Sequence, residues 1–470
     1  MSDEPEGKSQ IFAGEEISQK NKVENYRLHN LLHLTRRTGN GKGIEFLSKV
    51  NLEKRPHHLS VSPNLFSDVI ISDLLFQRAE RKNLSAENRL DFLSALVWGN
   101  LQIHPTLFFD YSYNGLTSAL ETNCNHLRLT SVHTGAGMIA SYRRQRFYAS
   151  LYISGNYKYF NLTNRTTKAD TDKHRFVVEP RLTLRYDMDG RNELRFSGNL
   201  SHSNPAIENL YNQYILTTYR QLSVYENSDL YQAQVQNYRL SYDYKNIVSM
   251  LFLGADISWD HHRPDVLYGS SYDGIAEKII SRPTEETADI LSAKLRGSKG
   301  FDWKHMKIGW ECGYRYFDSP LLLQHEIIRY KGHVINAKLD LTLNPFRWMA
   351  FSYDGTFYRS QTKMQGGGDM PVLKTWSNQA LIEIYLPHEI TLGAGVSHDY
   401  NNLNQTDKSF LLGEVNIKYT YKRWSFTLSC DNLFNRKTYV YSTSRELTEH
   451  TSVYHIRPRS MLLKVRYRIF

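Results

Sequence analysis

Two histidine pairs are the first places where this sequence has the residue types for chemistry. His261-His262 lie close to Asp265, and His57-His58 form a second pair. A structural metal site takes about four well-spaced ligands. No third and fourth ligand is spaced to join either pair, so both read as parts of solvated segments and no metal is expected. Cys124, Cys312 and Cys430 are odd in number, widely separated and include no C-x-x-C pair, which indicates neither a zinc site nor a redox motif. Serine, histidine and aspartate are plentiful, but no G-x-S-x-G element marks a nucleophile. No catalytic residue is assigned, and the chain is not expected to be an enzyme. Gly366-Gly367-Gly368 lacks the following Lys-Ser/Thr of a phosphate loop and reads as a flexible loop tip, so no cofactor is expected. Tyr268, Tyr272 and Trp376 have rings that could stack on a sugar or a chelate. They suit interfacial or loop packing equally, and no ligand-binding residue is assigned.

The informative features lie instead in the elements that would position such residues. The 470 residues are polar overall, yet 13% are aromatic, with 32 Tyr against 21 Phe. A ring with a polar tip suits the levels where a protein wall passes from lipid into water. The longest apolar runs are short, as at Leu321–Leu323 and Ala95–Trp98, far below the roughly 18 residues of a membrane helix. A β-barrel is not excluded by this, because its strands alternate. The net charge of +10 is spread along the chain rather than gathered into a tail, so nucleic acid is not an expected partner.

Alternation is clear in several segments. Ile308, Trp310, Cys312, Tyr314 and Tyr316 oppose Lys307, Gly309, Glu311, Gly313 and Arg315. Ile335, Ala337, Leu339, Leu341 and Leu343 oppose Asn336, Lys338, Asp340 and Thr342. Leu411, Gly413, Val415, Ile417, Tyr419 and Tyr421 oppose Leu412, Glu414, Asn416, Lys418 and Thr420. Side chains alternate faces along a strand, so each run has an apolar and a polar face. Runs of about 9–13 residues match a tilted membrane-spanning strand better than a globular one. Short turn signals, such as Asp187–Arg191, Asn344–Arg347 and Leu386–His388, alternate with long polar segments near 156–173, 203–232, 262–286, 317–331, 360–372, 401–408 and 432–456. That alternation places every long connection at one end, as outer-membrane barrels do.

The expected fold is therefore all-β: one large antiparallel transmembrane barrel of roughly 18–22 strands, with short periplasmic turns and long extracellular loops. Residues 1–23 are polar without periodicity and read as a disordered or loop segment; residues 24–470 read as a single barrel domain. The stretch from Asp73 to Leu96 admits a helical turn as well as a strand. The first residues, Met1–Lys8, carry no secretory signal, which suggests a fragment of a longer protein. Outer-membrane lipid is the expected surrounding.

The last forty residues carry a more specific pattern. Asn432-Leu433-Phe434-Asn435 followed by Tyr439 resembles the N-L-F-N…Y element near the end of TonB-dependent receptors. After it, Met461, Leu463, Val465, Tyr467 and Ile469 alternate with Leu462, Lys464, Arg466 and Arg468, and the chain ends at Phe470, one residue out of phase. A terminal aromatic strand of this kind resembles the segment by which the barrel-assembly machinery recognises its clients. Asn30–Gly39 with Gly41-Lys42-Gly43 similarly resembles an early barrel hairpin of the family. The resemblance implies a receptor-transporter for a scarce nutrient, such as a siderophore, another chelate, a glycan or a peptide, with a surface-exposed substrate-binding lipoprotein as a conceivable partner. It implies contact with TonB only through a plug segment, and no plug is recognisable in this sequence. A passive or structural barrel without energised transport is the alternative, and a secreted β-rich adhesin is a further one.

Overall fold

The computed structural model describes residues 6–12, 15–37, 39, 42–67, 69–219, 221–225, 230–273, 276–366, 370–404, 407–445 and 448–468. Among these described residues nineteen strands form one continuous wall. They are β1 (Tyr26–Arg37), β2 (Gly43–Ser62), β3 (Leu75–Leu93), β4 (Leu101–Leu120), β5 (Asn123–Arg144), β6 (Phe147–Asn164), β7 (Ala169–Asp189), β8 (Asn192–His202), β9 (Ala233–Asn246) and β10 (Leu251–Pro264). The series continues with β11 (Ala288–Phe301), β12 (Met306–Leu323), β13 (Glu326–Phe346), β14 (Met349–Met364), β15 (Leu373–Leu386), β16 (Ile390–Asn401), β17 (Ser409–Tyr421), β18 (Trp424–Asp431) and β19 (Ser460–Tyr467). Each pairs antiparallel with the next. The stretch 73–96 is thus strand rather than helix over Leu75–Leu93.

Strand pleating sorts the residues as the sequence pattern predicts. On β7, Phe176, Val178, Tyr186 and Met188 are exposed on the outer face, while Arg175 and Glu179 point inward to ion-pair partners. Ten residues separate Phe176 from Tyr186. At about 3.3 Å per residue and a 40–45° tilt, that step spans about 24 Å along the barrel axis, close to the apolar band of outer-membrane barrels. Leu240, Ile257, Leu295, Leu339 and Ile417 lie between those levels and are all exposed. Aromatic rings gather at both edges of the band. Tyr238 stacks on Trp259 at 5.5 Å at the upper edge, and Phe346 on Trp348 at 4.9 Å at the lower. A continuous exposed apolar belt of this height is not compatible with water and suits acyl chains.

At one end of the wall every connection is short. There Asp189 accepts hydrogen bonds from the Asn192 side-chain amide (2.7 Å) and from the backbone of Arg191 (2.9 Å) and Asn192 (2.8 Å), which closes a tight turn; the Asn192 side chain first, and then the backbone donors, hold its carboxyl below the usual range. At the other end three connections are long: 203–232, 265–287 and 432–459. Other segments that read as long polar loops are extended strand. The segment near 317–331 closes in a two-residue turn between β12 and β13, and that near 156–173 is β6 paired to β7. Wall strands reach 22 residues, beyond the 9–13 expected, because their polar upper halves keep the ladder after leaving the lipid level.

The N-terminal segment also differs from the expectation of a disordered or loop segment. Glu15–Val23 pairs with the upper part of β2, from Ser18 opposite Ser62 to Val23 opposite His57. It prolongs β1 in the same ladder, and Glu6–Phe12 pairs with it in turn. Polar side chains suffice there because the ladder stands above the membrane and needs only backbone pairing.

Candidate functional site

The inner face of the wall is charged and self-paired. Arg239 on β9 donates to Asp256 on β10 at 2.7 Å, and Arg296 on β11 reaches both Asp256 at 3.2 Å and Asp243 on β9 at 2.8 Å. Lys294 pairs with Glu311 at 2.7 Å, and Lys338 with Asp340 at 2.9 Å. Lys338 and Asp340 lie on one strand; the other pairs cross between strands and stabilise their neighbours while remaining solvated. Of these residues Asp243, Arg296, Glu311, Lys338 and Asp340 border a cavity of about 640 Å³ that Lys245 and Asp354 also line. Charges of both signs in a hydrated lumen make a surface that polar solutes or a polar folded insert can wet.

Toward the long-loop end the inner face changes character. Leu59 and Val61 on β2, Leu75 on β3, Leu116 and Leu120 on β4, Leu127 and Leu129 on β5, and Phe160 and Leu162 on β6 all point inward and are buried. What buries them is the connection between β8 and β9, joined at Leu59, Val61 and Leu75 by Phe66 and Ile70 of the β2–β3 connection. The β8–β9 connection turns back over the inner face of β2–β6, placing Ile207, Leu210, Tyr211, Ile215, Tyr225 and Leu230 in one apolar cluster and Leu216 and Leu222 in a second. Burial at this scale, about 1.5–3 kcal/mol for each large side chain, fixes the segment to the wall. Arg81 on β3 forms an ion pair with Glu208.

Two amide side chains clamp its backbone. Gln77, 1% exposed, donates to the Leu216 carbonyl at 2.7 Å and accepts from the Leu216 N–H at 2.6 Å. Asn125 repeats the arrangement on Gln213, at 3.0 and 3.2 Å. A carboxamide carries both a donor and an acceptor, so each stands in for a missing strand partner. Tyr225 meets Tyr211 edge-on at 4.9 Å and Tyr268 at 5.4 Å. Burial holds the Tyr225 phenol above its ordinary value, and desolvation around the hydroxyl pushes that of Tyr268, a residue 39% exposed overall, up to about 12, so these hydroxyls stay protonated at physiological pH.

The far margin of this segment is stitched to the opposite rim. Ile215–Thr218 pairs with Gln221–Ser223, which runs parallel to Ala276–Pro283. That strand forms a hairpin with Val266–Asp273, whose Gly269 and Ser270 lie opposite Leu322 and Leu323 of β12. A small sheet therefore runs from β12 to the inner face of β2–β4. Gly269 is required at the seam: a Cβ there would stand 1.7 Å from the Leu322 carbonyl oxygen. Gly269→Val is expected to pry the hairpin from β12 without unfolding the wall. Limited proteolysis of the detergent-solubilised protein checks this, with cleavage within 265–287 rising about tenfold for a local opening of roughly 1.4 kcal/mol. Unchanged cleavage there would show that the contact carries no weight.

The closing motif forms a knot at the top of β18. Asn432 and Asn435 take left-handed backbone angles, φ 55 and 53, which asparagine tolerates better than most residues. The Asn432 side chain donates to the carbonyls of Arg436 (2.6 Å) and Arg457 (2.9 Å) and accepts from the Arg436 N–H (2.9 Å). It thereby joins the start and the end of the hairpin formed by Thr438–Arg445 and Thr448–His455. Asn435 accepts from the Arg459 N–H at 3.1 Å, next to the first residue of β19. Leu433 N–H donates to Gly413 at 2.8 Å, Phe434 is half exposed, and Tyr439 packs edge-on against Phe410 at 4.8 Å. In β19, Leu463, Val465 and Tyr467 lie on one face and are exposed; Ile469 and Phe470 lie outside the described residues.

The histidine candidates separate. His261 hydrogen-bonds Asp289 at 2.8 Å, whereas Asp265 accepts from the Gln232 N–H (3.2 Å) and pairs with Arg175 (3.4 Å). His57 bonds Asn21 at 2.7 Å, and His58 stacks on Phe76. Among the described residues no group of three metal-ligating side chains converges. Trp376 is a wall residue on β15, beside Phe357, and Tyr268 is part of the in-folded aromatic cluster; the Tyr272 side chain, Gly367 and Gly368 lie outside the described residues. Sequence reasoning missed the in-folding of 203–232. The available signal was the apolar content of a segment read as polar loop: Ile207, Leu210, Ile215, Leu216, Leu222 and Leu230.

No family model matches this sequence, and no curated protein matches it. Among solved structures it is similar to the copper transporter OprC, at TM-score 0.44 and 9% identity over 96% of this chain and 79% of that chain. It is similar to the unliganded ferric citrate transporter FecA at TM-score 0.41 and 10% identity, covering 96% and 76%. The ferric yersiniabactin uptake receptor FyuA from Yersinia pestis gives 0.39 and 10%, covering 97% and 78%. These values describe a likeness of outline and assign none of those roles to this chain.

Proposed function

We propose that this chain is the barrel of an outer-membrane receptor-transporter of the TonB-dependent type, belonging to a longer protein that supplies a plug and an export signal. The single observation that carries this is the wall itself: a lipid-level apolar belt outside, paired charges inside, and long connections at one rim only. The resemblance of the Asn432–Tyr439 element and of β19 to the family's closing segment supports the finer assignment. A scarce nutrient, whether siderophore, other chelate, glycan or peptide, is the reading for its cargo. TonB would be engaged through the plug segment, and assembly would use the barrel-assembly machinery.

Among the described residues, with nineteen strands in strict antiparallel order, β1 and β19 run in the same direction, and each is paired along the lipid level on one side. An unpaired backbone edge costs several kcal/mol per group in hydrocarbon. An odd number of additional strands would close the wall with the antiparallel pairing used everywhere else.

The expected result is recovery of the protein in the outer-membrane fraction, its release by detergent alone, and faster gel migration before heating than after. A monomer stable in buffer without detergent would overturn the barrel, and the transporter reading with it. A large steady ion current through the full-length protein would favour the passive barrel instead.

A further inference from the structure

We infer that the described residues of the β8–β9 connection, 203–219, 221–225 and 230–232, form an occluding flap that closes the mouth of the lumen from the long-loop side. This rests on the barrel reading above. The segment leaves the wall after β8 and re-enters at β9, neighbouring strands whose ends are tied by Ser203 N–H to the Ala233 carbonyl and by Ala233 N–H to the Ser203 hydroxyl, both 2.8 Å. Its base is therefore fixed while its body lies elsewhere. The body rests on the inner faces of β2–β6, and its outer strand reaches β12 through the hairpin of Val266–Pro283. From β2 to β12 is ten strands along a wall of nineteen, so the small sheet crosses between roughly opposite sides. Matter that crosses between opposite sides of a barrel at its mouth lies in the path of anything entering.

The contacts are of two kinds with different consequences for opening. The apolar clusters favour closure without regard to register. The Gln77 and Asn125 clamps set the register, because each satisfies both the donor and the acceptor of one flap residue, in a buried place at Leu216 and a part-buried one at Gln213. Removing a clamp leaves the Leu216 or Gln213 peptide group unpaired when closed, yet hydrated when open. The balance therefore shifts toward the open form. The flap blocks entry whether or not a plug occupies the lumen below it, which makes it a second barrier in series.

The test uses the full chain inserted in planar lipid bilayers, with potassium chloride as the probe. Three proteins are compared: wild type, the double variant Gln77→Leu with Asn125→Leu, and a chain in which 205–230 is replaced by a short Gly-Ser linker. The linker variant is expected to conduct at least about tenfold more than wild type, since removing a constriction opens the narrowest section. The double variant is expected to spend roughly a hundredfold more time open. Equal conductance of wild type and linker variant, with both showing heat-modifiable migration, would overturn the flap and leave the barrel standing. Absence of heat-modifiable migration in wild type would overturn both. A Leu222→Cys probe in a cysteine-free background gives a second measurement. Leu222 is fully buried, so its reaction with a membrane-impermeant thiol reagent should accelerate in the double variant. An unchanged rate would count against the clamps.

Discussion

Asn432→Ala should reduce the assembled, heat-modifiable form of this protein by about tenfold or more, the largest loss expected from any single side chain outside the lipid belt. Alanine at φ 55 incurs about 1–2 kcal/mol of backbone strain. Three hydrogen bonds disappear at the same time. Because Asn432 is nearly buried, the carbonyls of Arg436 and Arg457 and the N–H of Arg436 lose partners in a place that water reaches poorly. Each such loss is worth about 1 kcal/mol net, and more where the group stays dry. The sum, about 4–6 kcal/mol, falls on the joint that delivers the chain into β19. Asn432→Gly separates the two causes: it relieves the strain but not the missing bonds, and should recover only the smaller share. Asn432→Asp keeps an acceptor for the Arg436 N–H and loses both donated bonds, so it should lie between. The measurement is the folded fraction on unheated gels after detergent extraction. Wild-type assembly of the alanine variant would show that the knot is ornamental to the loop and not a joint of the wall.

The same knot shows what sequence can and cannot convey. The spacing of Asn432, Asn435 and Tyr439 was recognisable as a motif, but its mechanism depends on Arg436 and Arg457, and the second is 25 residues away with an unrelated role in the pattern. Alternation gave the wall because period two is a local property: Ile417 and Lys418 declare opposite faces with no knowledge of any neighbour. What alternation cannot declare is which medium each face meets. Leu127 and Leu129 are as apolar as Ile417, yet they face inward and are covered by a segment about 80 residues further on. Apolar-outward holds only at the lipid level, and above it the rule reverses wherever a connection folds in. For the same reason polar stretches such as 317–331 read as loops although they pair as strands: outside the membrane, polarity no longer distinguishes the two.

That dependence on medium is what Leu295→Arg and Ser298→Arg test together. The two residues lie three apart on β11, so the pleat sends them to opposite faces. Leu295 is 52% exposed on the outer belt, about 15 Å above the lower aromatic level by the rise and tilt of the strand. Ser298 lines the charged cavity near Glu311 and Asp340. At mid-bilayer an arginine on the lipid face costs roughly 2–4 kcal/mol. On the lumen face, hydrated and beside carboxylates, the same side chain should change stability by less than about 1 kcal/mol. The expected result is a lowered urea midpoint for Leu295→Arg and a midpoint near wild type for Ser298→Arg, both measured by tryptophan fluorescence in lipid vesicles. A soluble sheet predicts the reverse order. There, arginine replacing an exposed leucine is harmless or helpful, and arginine pushed into an interior is not. The sign of the difference between the two variants, rather than the size of either, decides which side of this wall touches lipid.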